Sequence, residues 1–356
     1  MATVYGQTLT RSDFARKTGD LSQVAGIRLM QLTEGREAGV RIADVRTGSG
    51  FRFQVTLDRG MDISLADYKG IALAWRSPAG DVHPSLFEPH GYGWLRTFPG
   101  GLMTGCGMSS AGAPSEDQGE RFGLHGRLSH IPAEEVTSST RWAGTECVFS
   151  LRGRIREYSP FKENLSLHRT IEAFLGHSII LMKDVVRNEG STATPLMMLY
   201  HVNVGWPLVD QGSRLYLNAR STTPRDPDAE PGLDDARTIS SPVSGYREQV
   251  FYHDLTADDE GFATGLLTNS RLGLGLFVRY RQKELPRFAE WKMMGEGLYV
   301  VGMEPANCLV GGRAAERAAG TLRYIEAGEQ HEFLLHLGVL EGDGELQDFI
   351  RKRTLQ

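Results

Sequence analysis

The chain has 356 residues, 40 % of them hydrophobic and 23 % charged, and a formal net charge of −5. These proportions are ordinary for a soluble globular protein. An acidic balance without a long basic run argues against nucleic acid or an anionic membrane as the main partner. A chain of this length can bury roughly three quarters of its unfolded surface, so it needs no covalent or metal staple.

Residues 1–26 contain Arg11, Asp13, Arg16, Lys17 and Asp20 and no apolar core, so no secretory signal is expected. No apolar run approaches about 18 residues, the length a membrane helix needs. The three cysteines, Cys106, Cys147 and Cys308, are far apart and form no Cys-x-x-Cys pair, which suits a reducing, cytoplasmic setting.

Short alternating runs follow along the chain. Residues 38–45, 51–57, 61–66, 71–75, 145–155, 165–172, 178–187, 195–204, 213–218, 262–269, 272–281, 298–304 and 331–340 are expected as strands. Helical period occurs only near 10–24 and at 344–353. Many strands about ten residues apart, with 42 glycines spread among them, predict an all-β sandwich or barrel with a few short helices. No repeat and no composition break divides residues 1–356, so one domain is expected. Dinucleotide, phosphate-loop, zinc-protease and nucleophile-elbow motifs are all missing. Two segments are irregular. Residues 76–130 are rich in Gly, Pro and Ser and are expected to wall a pocket; residues 219–249 are polar and Pro-rich and are expected at its rim.

The most informative stretch is Leu298 to Arg313, LYVVGMEPANCLVGGR. Alternation sends Tyr299, Val301 and Met303 to one side and Val300, Gly302 and Glu304 to the other. Glu304 thus stands at the end of an uncharged strand that Pro305 is expected to close. A carboxyl group on such a mount can be desolvated into the range a general base needs; pairing with Arg313 is the other reading. His201 ends the apolar run PLMMLY, and His125 lies between glycines in Gly123-Leu124-His125-Gly126-Arg127. Each is open to a structural or a functional reading. No histidine spacing matches a helical or strand metal motif, although ligands from distant strands stay open. Arg59, in Leu57-Asp58-Arg59-Gly60-Met61-Asp62, can fork onto a ligand's oxygens or onto local acceptors. Trp291 and Lys292 offer an aromatic face and a cation ahead of the central strand.

The order of these marks resembles the aldose 1-epimerase (galactose mutarotase) superfamily, in a divergent branch. The marks are Arg59-Gly60-Met61-Asp62-Ile63, Gly100-Gly101-Leu102, Leu124-His125-Gly126, Tyr200-His201-x-Asn203 and Met303-Glu304-Pro305-x-Asn307. The resemblance implies a large, mostly antiparallel β-sandwich and the interconversion of sugar anomers with no cofactor and no metal. It implies Glu304 as base, His201 as acid and His125 as an orienting group. Arg59, Arg127, Asn203, Trp291, Lys292 and Asn307 complete the expected binding set for a small sugar, and a homodimer is left open. Where typical mutarotases carry Gly-Arg-x-x-Asn-Arg, this chain reads Gly100-Gly101-Leu102-Met103-Thr104-Gly105, without the arginine; Arg59 or Arg127 are the candidate replacements. The rival readings are a non-catalytic carbohydrate-binding sandwich and a sugar isomerase or lyase on the same scaffold.

Overall fold

The computed structural model describes residues 1–356. Alternating and β-branched runs form three main antiparallel sheets, and no helix is long and apolar enough to cross a membrane. The sheet that matters for the site has six strands: β1 (Thr104–Met108), β2 (Met197–Gly205), β3 (Ala219–Pro224), β4 (Gln249–Leu255), β5 (Arg287–Gly295) and β6 (Leu298–Ala306). Their spatial order is β3-β4-β5-β6-β2-β1. An eight-stranded sheet runs, in spatial order, through Glu134–Ala143, Glu146–Tyr158, Asn164–Phe174, Ile179–Asn188, Gln330–Glu341, Leu274–Arg281, Phe262–Asn269 and Arg214–Leu217. A five-stranded sheet comes from residues 26–72. Helices are confined to Arg11–Lys17, Arg313–Ala318 and Asp343–Lys352, plus single turns.

One apolar core joins the three sheets. It takes Val55 and Ile63 from the five-stranded sheet, Leu167, Met182 and Leu335 from the eight-stranded one, and Tyr200, Met303 and Phe288 from the six-stranded one. A buried polar network pins the layers together. Arg169 pairs with Asp184 at 2.7 Å and bonds the Gly60 carbonyl at 2.7 Å. Tyr200 donates its hydroxyl to Asp184 at 2.7 Å, and Asp62 accepts the Gly105 amide at 2.8 Å. Losing one member would leave its partners buried and unpaired, which is why such networks rigidify a fold.

The strand expectations hold for the runs named above, with differences at their ends. The run 71–75 contributes only Ile71–Ala72 to a ladder, and 219–224 is a strand although its composition is polar. Strands Gly26–Gln31, Glu134–Ala143, Gln249–Leu255 and Arg287–Gly295 were not evident, because charged and polar residues interrupt their alternation. Glu304 does not end its strand. Pro305 lies in register with Phe288, and the ladder continues to Ala306, which pairs with both Arg287 and Leu199. A proline removes one donor, and one lost donor does not stop a strand held by neighbours on both sides.

Candidate active site

Antiparallel register builds the centre of the site. Leu199 pairs with Ala306 and Val202 with Met303, so His201 on β2 stands directly across from Glu304 on β6. On the other flank Glu304 is beside the small Ala289, and Gly302 is beside Trp291 on β5. Period-two alternation then puts His201, Glu304, Gly302 and Trp291 on the sheet face away from the core. Gly302 matters by what it lacks: a methyl group there would stand 2.7 Å from Glu304 Oε1 and 3.2 Å from the His201 ring.

Over this face lies a cleft of about 510 Å³. Its other walls come mainly from the irregular 76–130 segment, through Ser77, Tyr92, Trp94, Phe98, Leu124 and His125, as expected from composition. The His125 loop docks against edge strand β1: the Gly107 amide donates to the His125 carbonyl at 2.9 Å, and the His125 amide donates to the Gly112 carbonyl at 2.8 Å. This seating holds His125 at φ +56°, an uncommon region for a residue with a side chain. Gly126 follows at φ +72°, where a methyl group would stand 2.1 Å from the Ser110 carbonyl oxygen. The Leu-His-Gly segment is thus a backbone requirement for presenting the ring.

Three side chains converge. Glu304 Oε1 lies 3.1 Å from His201 Nε2, and the His125 and His201 rings meet edge to face at 5.7 Å. Aromatic rings enclose them, with Trp94 at 4.8 Å from His125 and with Phe98 and Trp291 at 5.6 and 5.4 Å from His201. Glu304 is 3 % exposed, yet its Oε1 has no aligned hydrogen bond; neither has Nδ1 of His125 or of His201. The pairing of Glu304 with Arg313 is not realised, because Arg313 bonds Asp117 at 2.8 Å.

Burial dominates the electrostatics. It pushes Glu304 up to about 8, with the nearby Glu248 adding to the rise and Arg225 opposing it. Burial likewise lowers His125 to about 4 and holds His201 well below the usual histidine range, with His125 adding to the latter. Removing these groups from water penalises their charged forms. At neutral pH the Glu304–His201 pair therefore holds one proton, mainly on the carboxyl group.

Most of the other residues named from sequence lie elsewhere. Arg59 is buried and donates to the Val82 and Thr97 carbonyls at 2.7 and 2.9 Å, clamping the irregular segment to the sheet. Lys292 points to the opposite sheet face, where its ammonium donates to the Asp235 and Thr238 carbonyls. Asn307 bonds the Met198 amide and the Leu196 carbonyl, closing the strand end. Asn203 does not line the cleft but supports His201 from the same sheet face: its Nδ2 donates to the Gly101 and His201 carbonyls at 3.0 and 2.9 Å, and its Oδ1 is left unpaired. Arg127 faces a separate small polar recess. Neither arginine considered for the missing family position reaches the cleft. The arginine that does is Arg225, together with Glu248. They stand at the two ends of the polar excursion between β3 and β4, whose interior packs on the sheet, as in the Tyr299 hydroxyl bond to the Ser240 carbonyl. Strands hidden in a polar segment concealed them; opposite charges at its two ends were the available signal.

An antiparallel β-sandwich with this cleft across one sheet is a galactose mutarotase-like protein in fold. The chain belongs to the family described as Domain of unknown function (DUF4432), whose profile matches residues 37–339. The structure is similar to a candidate aldose 1-epimerase from Klebsiella pneumoniae subsp. pneumoniae MGH 78578, with TM-score 0.87 and 24 % identity over 92 % of this chain and 86 % of that one. It is also similar to a galactose mutarotase-like protein from Clostridium acetobutylicum, with TM-score 0.61 and 11 % identity over 90 % and 99 % of the two chains. A galactose 1-epimerase from Lactobacillus acidophilus NCFM gives TM-score 0.56 and 12 % identity over 89 % and 99 %. No curated protein sequence matches the chain.

Proposed function

We propose that this protein interconverts the anomers of a free aldose by acid–base opening and closing of the sugar ring. The observation that carries the reading is the side-by-side placement of Glu304 and His201, 3.1 Å apart, buried, and facing a cleft with unused hydrogen-bonding capacity. Ring opening needs one proton removed from the anomeric hydroxyl and one delivered to the ring oxygen, two oxygens on the same carbon. Two adjacent groups sharing one proton fit that demand.

The reacting form has the proton on His201, leaving the Glu304 carboxylate toward the anomeric hydroxyl and the imidazolium toward the ring oxygen. Glu304 takes the hydroxyl proton, His201 gives its own to the ring oxygen, and the carbon–oxygen ring bond breaks to the aldehyde. Rotation presents the other carbonyl face. Closure then runs the two transfers backwards and restores the pair. Sugar hydroxyls bonding to both groups offset the cost of the charge-separated form. His125, neutral and 5.7 Å from His201, orients the substrate, and Trp291 and Trp94 receive its carbon–hydrogen faces.

Anomer exchange followed by NMR near pH 6 across a panel of free aldoses tests the proposal; acceleration for at least one sugar is expected. The pH profile adds a sign. Loss of the shared proton above about 8 leaves a carboxylate and a neutral imidazole, hence no acid, so kcat/KM falls as pH rises through that value. Exchange that equals the uncatalysed rate for every aldose contradicts the reading.

A further inference from the structure

Among the charged residues lining the cleft, Arg225 is the one cation that keeps its charge at every working pH. It is already engaged. Its Nε donates to Asp226 Oδ2 at 2.5 Å and its Nη2 to Glu248 Oε1 at 3.1 Å. The second oxygen of Glu248 accepts the Trp291 indole N–H at 3.0 Å. One positive charge thus sits against two negative ones, in a fixed chain from Asp226 through Arg225 and Glu248 to the tryptophan beside His201. No lysine lines the cleft, and the remaining walls are mostly aromatic and aliphatic.

We propose that Glu248 is a specificity residue that sets the charge of the substrate: by occupying Arg225 it reserves the cleft for an uncharged sugar and turns away uronates and sugar phosphates. This deepens the anomer-exchange reading and rests on it. An entering carboxylate or phosphate would meet Glu248 with no unshared cation to offset the repulsion. A sugar hydroxyl meets a complementary pair, because it can donate to Glu248 and accept from Arg225 Nη1, which makes no hydrogen bond within the protein. Anions are therefore excluded by a carboxylate that a neutral sugar uses as an acceptor.

The test uses Glu248→Gln, which keeps an oxygen for Arg225 while removing the charge and the acceptor of the Trp291 N–H, with Arg225→Gln as its companion. For each form, kcat/KM is measured by NMR for D-galactose against D-galacturonate and for D-glucose against glucose 6-phosphate. The wild type is expected to favour the neutral sugar by about tenfold or more, and Glu248→Gln to reduce that preference by about tenfold. Arg225→Gln should keep the bias against anions while lowering turnover of the neutral sugar. An unchanged preference in Glu248→Gln, or a wild type that favours the anion, overturns the proposal. If no sugar is turned over, the anomer-exchange reading is what fails. The same ratios are then read as dissociation constants from quenching of the cleft tryptophans, where a shift on Glu248→Gln upholds the charge filter. Equal ratios, or no binding of any of these sugars, overturn it.

Discussion

The six-stranded sheet carries two Glu–His pairs, one on each face. His253 on β4 and Glu290 on β5 face the core: His253 Nε2 is 2.9 Å from Glu290 Oε2, its Nδ1 is 2.9 Å from the Thr222 hydroxyl, and both side chains are fully buried. His201 and Glu304 on the other face are nearly as buried and almost as close, at 3.1 Å. Residue type and spacing therefore do not distinguish them. The histidine's partners and the opening each pair faces do. The His253 ring is bonded at both nitrogens, although Glu290 Oε1 is unpaired and His253 borders a smaller cavity of about 190 Å³. His201 Nδ1 and Glu304 Oε1, in contrast, are both unpaired beside the cleft of about 510 Å³. A buried polar group without a partner costs roughly 1–3 kcal/mol. A fold retains two such groups side by side at low cost only where a ligand or water completes them.

The largest expected effect separates the faces by rate. His201→Asn is expected to lower anomer exchange by about 10²–10⁴-fold, the usual contribution of a positioned acid. His253→Asn should leave the rate of the folded protein unaltered and lower its stability by about 1–3 kcal/mol, because Glu290 then loses its partner in the core. Rate assays and denaturant titration of both variants check this; equal rate losses would erase the distinction.

A smaller effect concerns stability against pH. Burial raises Glu304 from 4.5 to about 8, so the folded state holds a proton that the unfolded chain has released. Its stabilising contribution is complete below about 4.5 and is lost as pH rises towards 8. Glu304→Gln removes this dependence and is expected to gain on the wild type by up to a few kcal/mol at pH 8. Denaturant midpoints at pH 5 and pH 8 read the difference, and parallel curves for the two proteins would contradict it.

Much of the sheet architecture was legible because its central strands alternate or run apolar. The strand from Leu298 displays its two faces in the sequence, and Glu304, the charged residue on the outward face, is conspicuous there. His125 stood out because the glycines near it in an irregular segment leave its ring without bulky sequence neighbours; that the loop backbone requires those glycines is visible only in the structure. Lys292 misled for the opposite reason. It follows Trp291, so strand alternation must send it to the other face, and treating the two as one patch ignored that period. Arg59 misled because burial, not sequence, decides whether a guanidinium meets a ligand or carbonyl groups. Arg225 and Glu248 are 23 residues apart, and only the pairing of β3 with β4 brings them together.

The most direct measurement compares the anomer-exchange rate of the wild type with those of Glu304→Gln and Glu290→Gln, on the aldose the wild type accelerates most. The account predicts a loss of about 10²–10⁴-fold for Glu304→Gln, with sugar binding retained, and a near-normal rate for Glu290→Gln. A Glu304→Gln protein that exchanges anomers as fast as the wild type would contradict it.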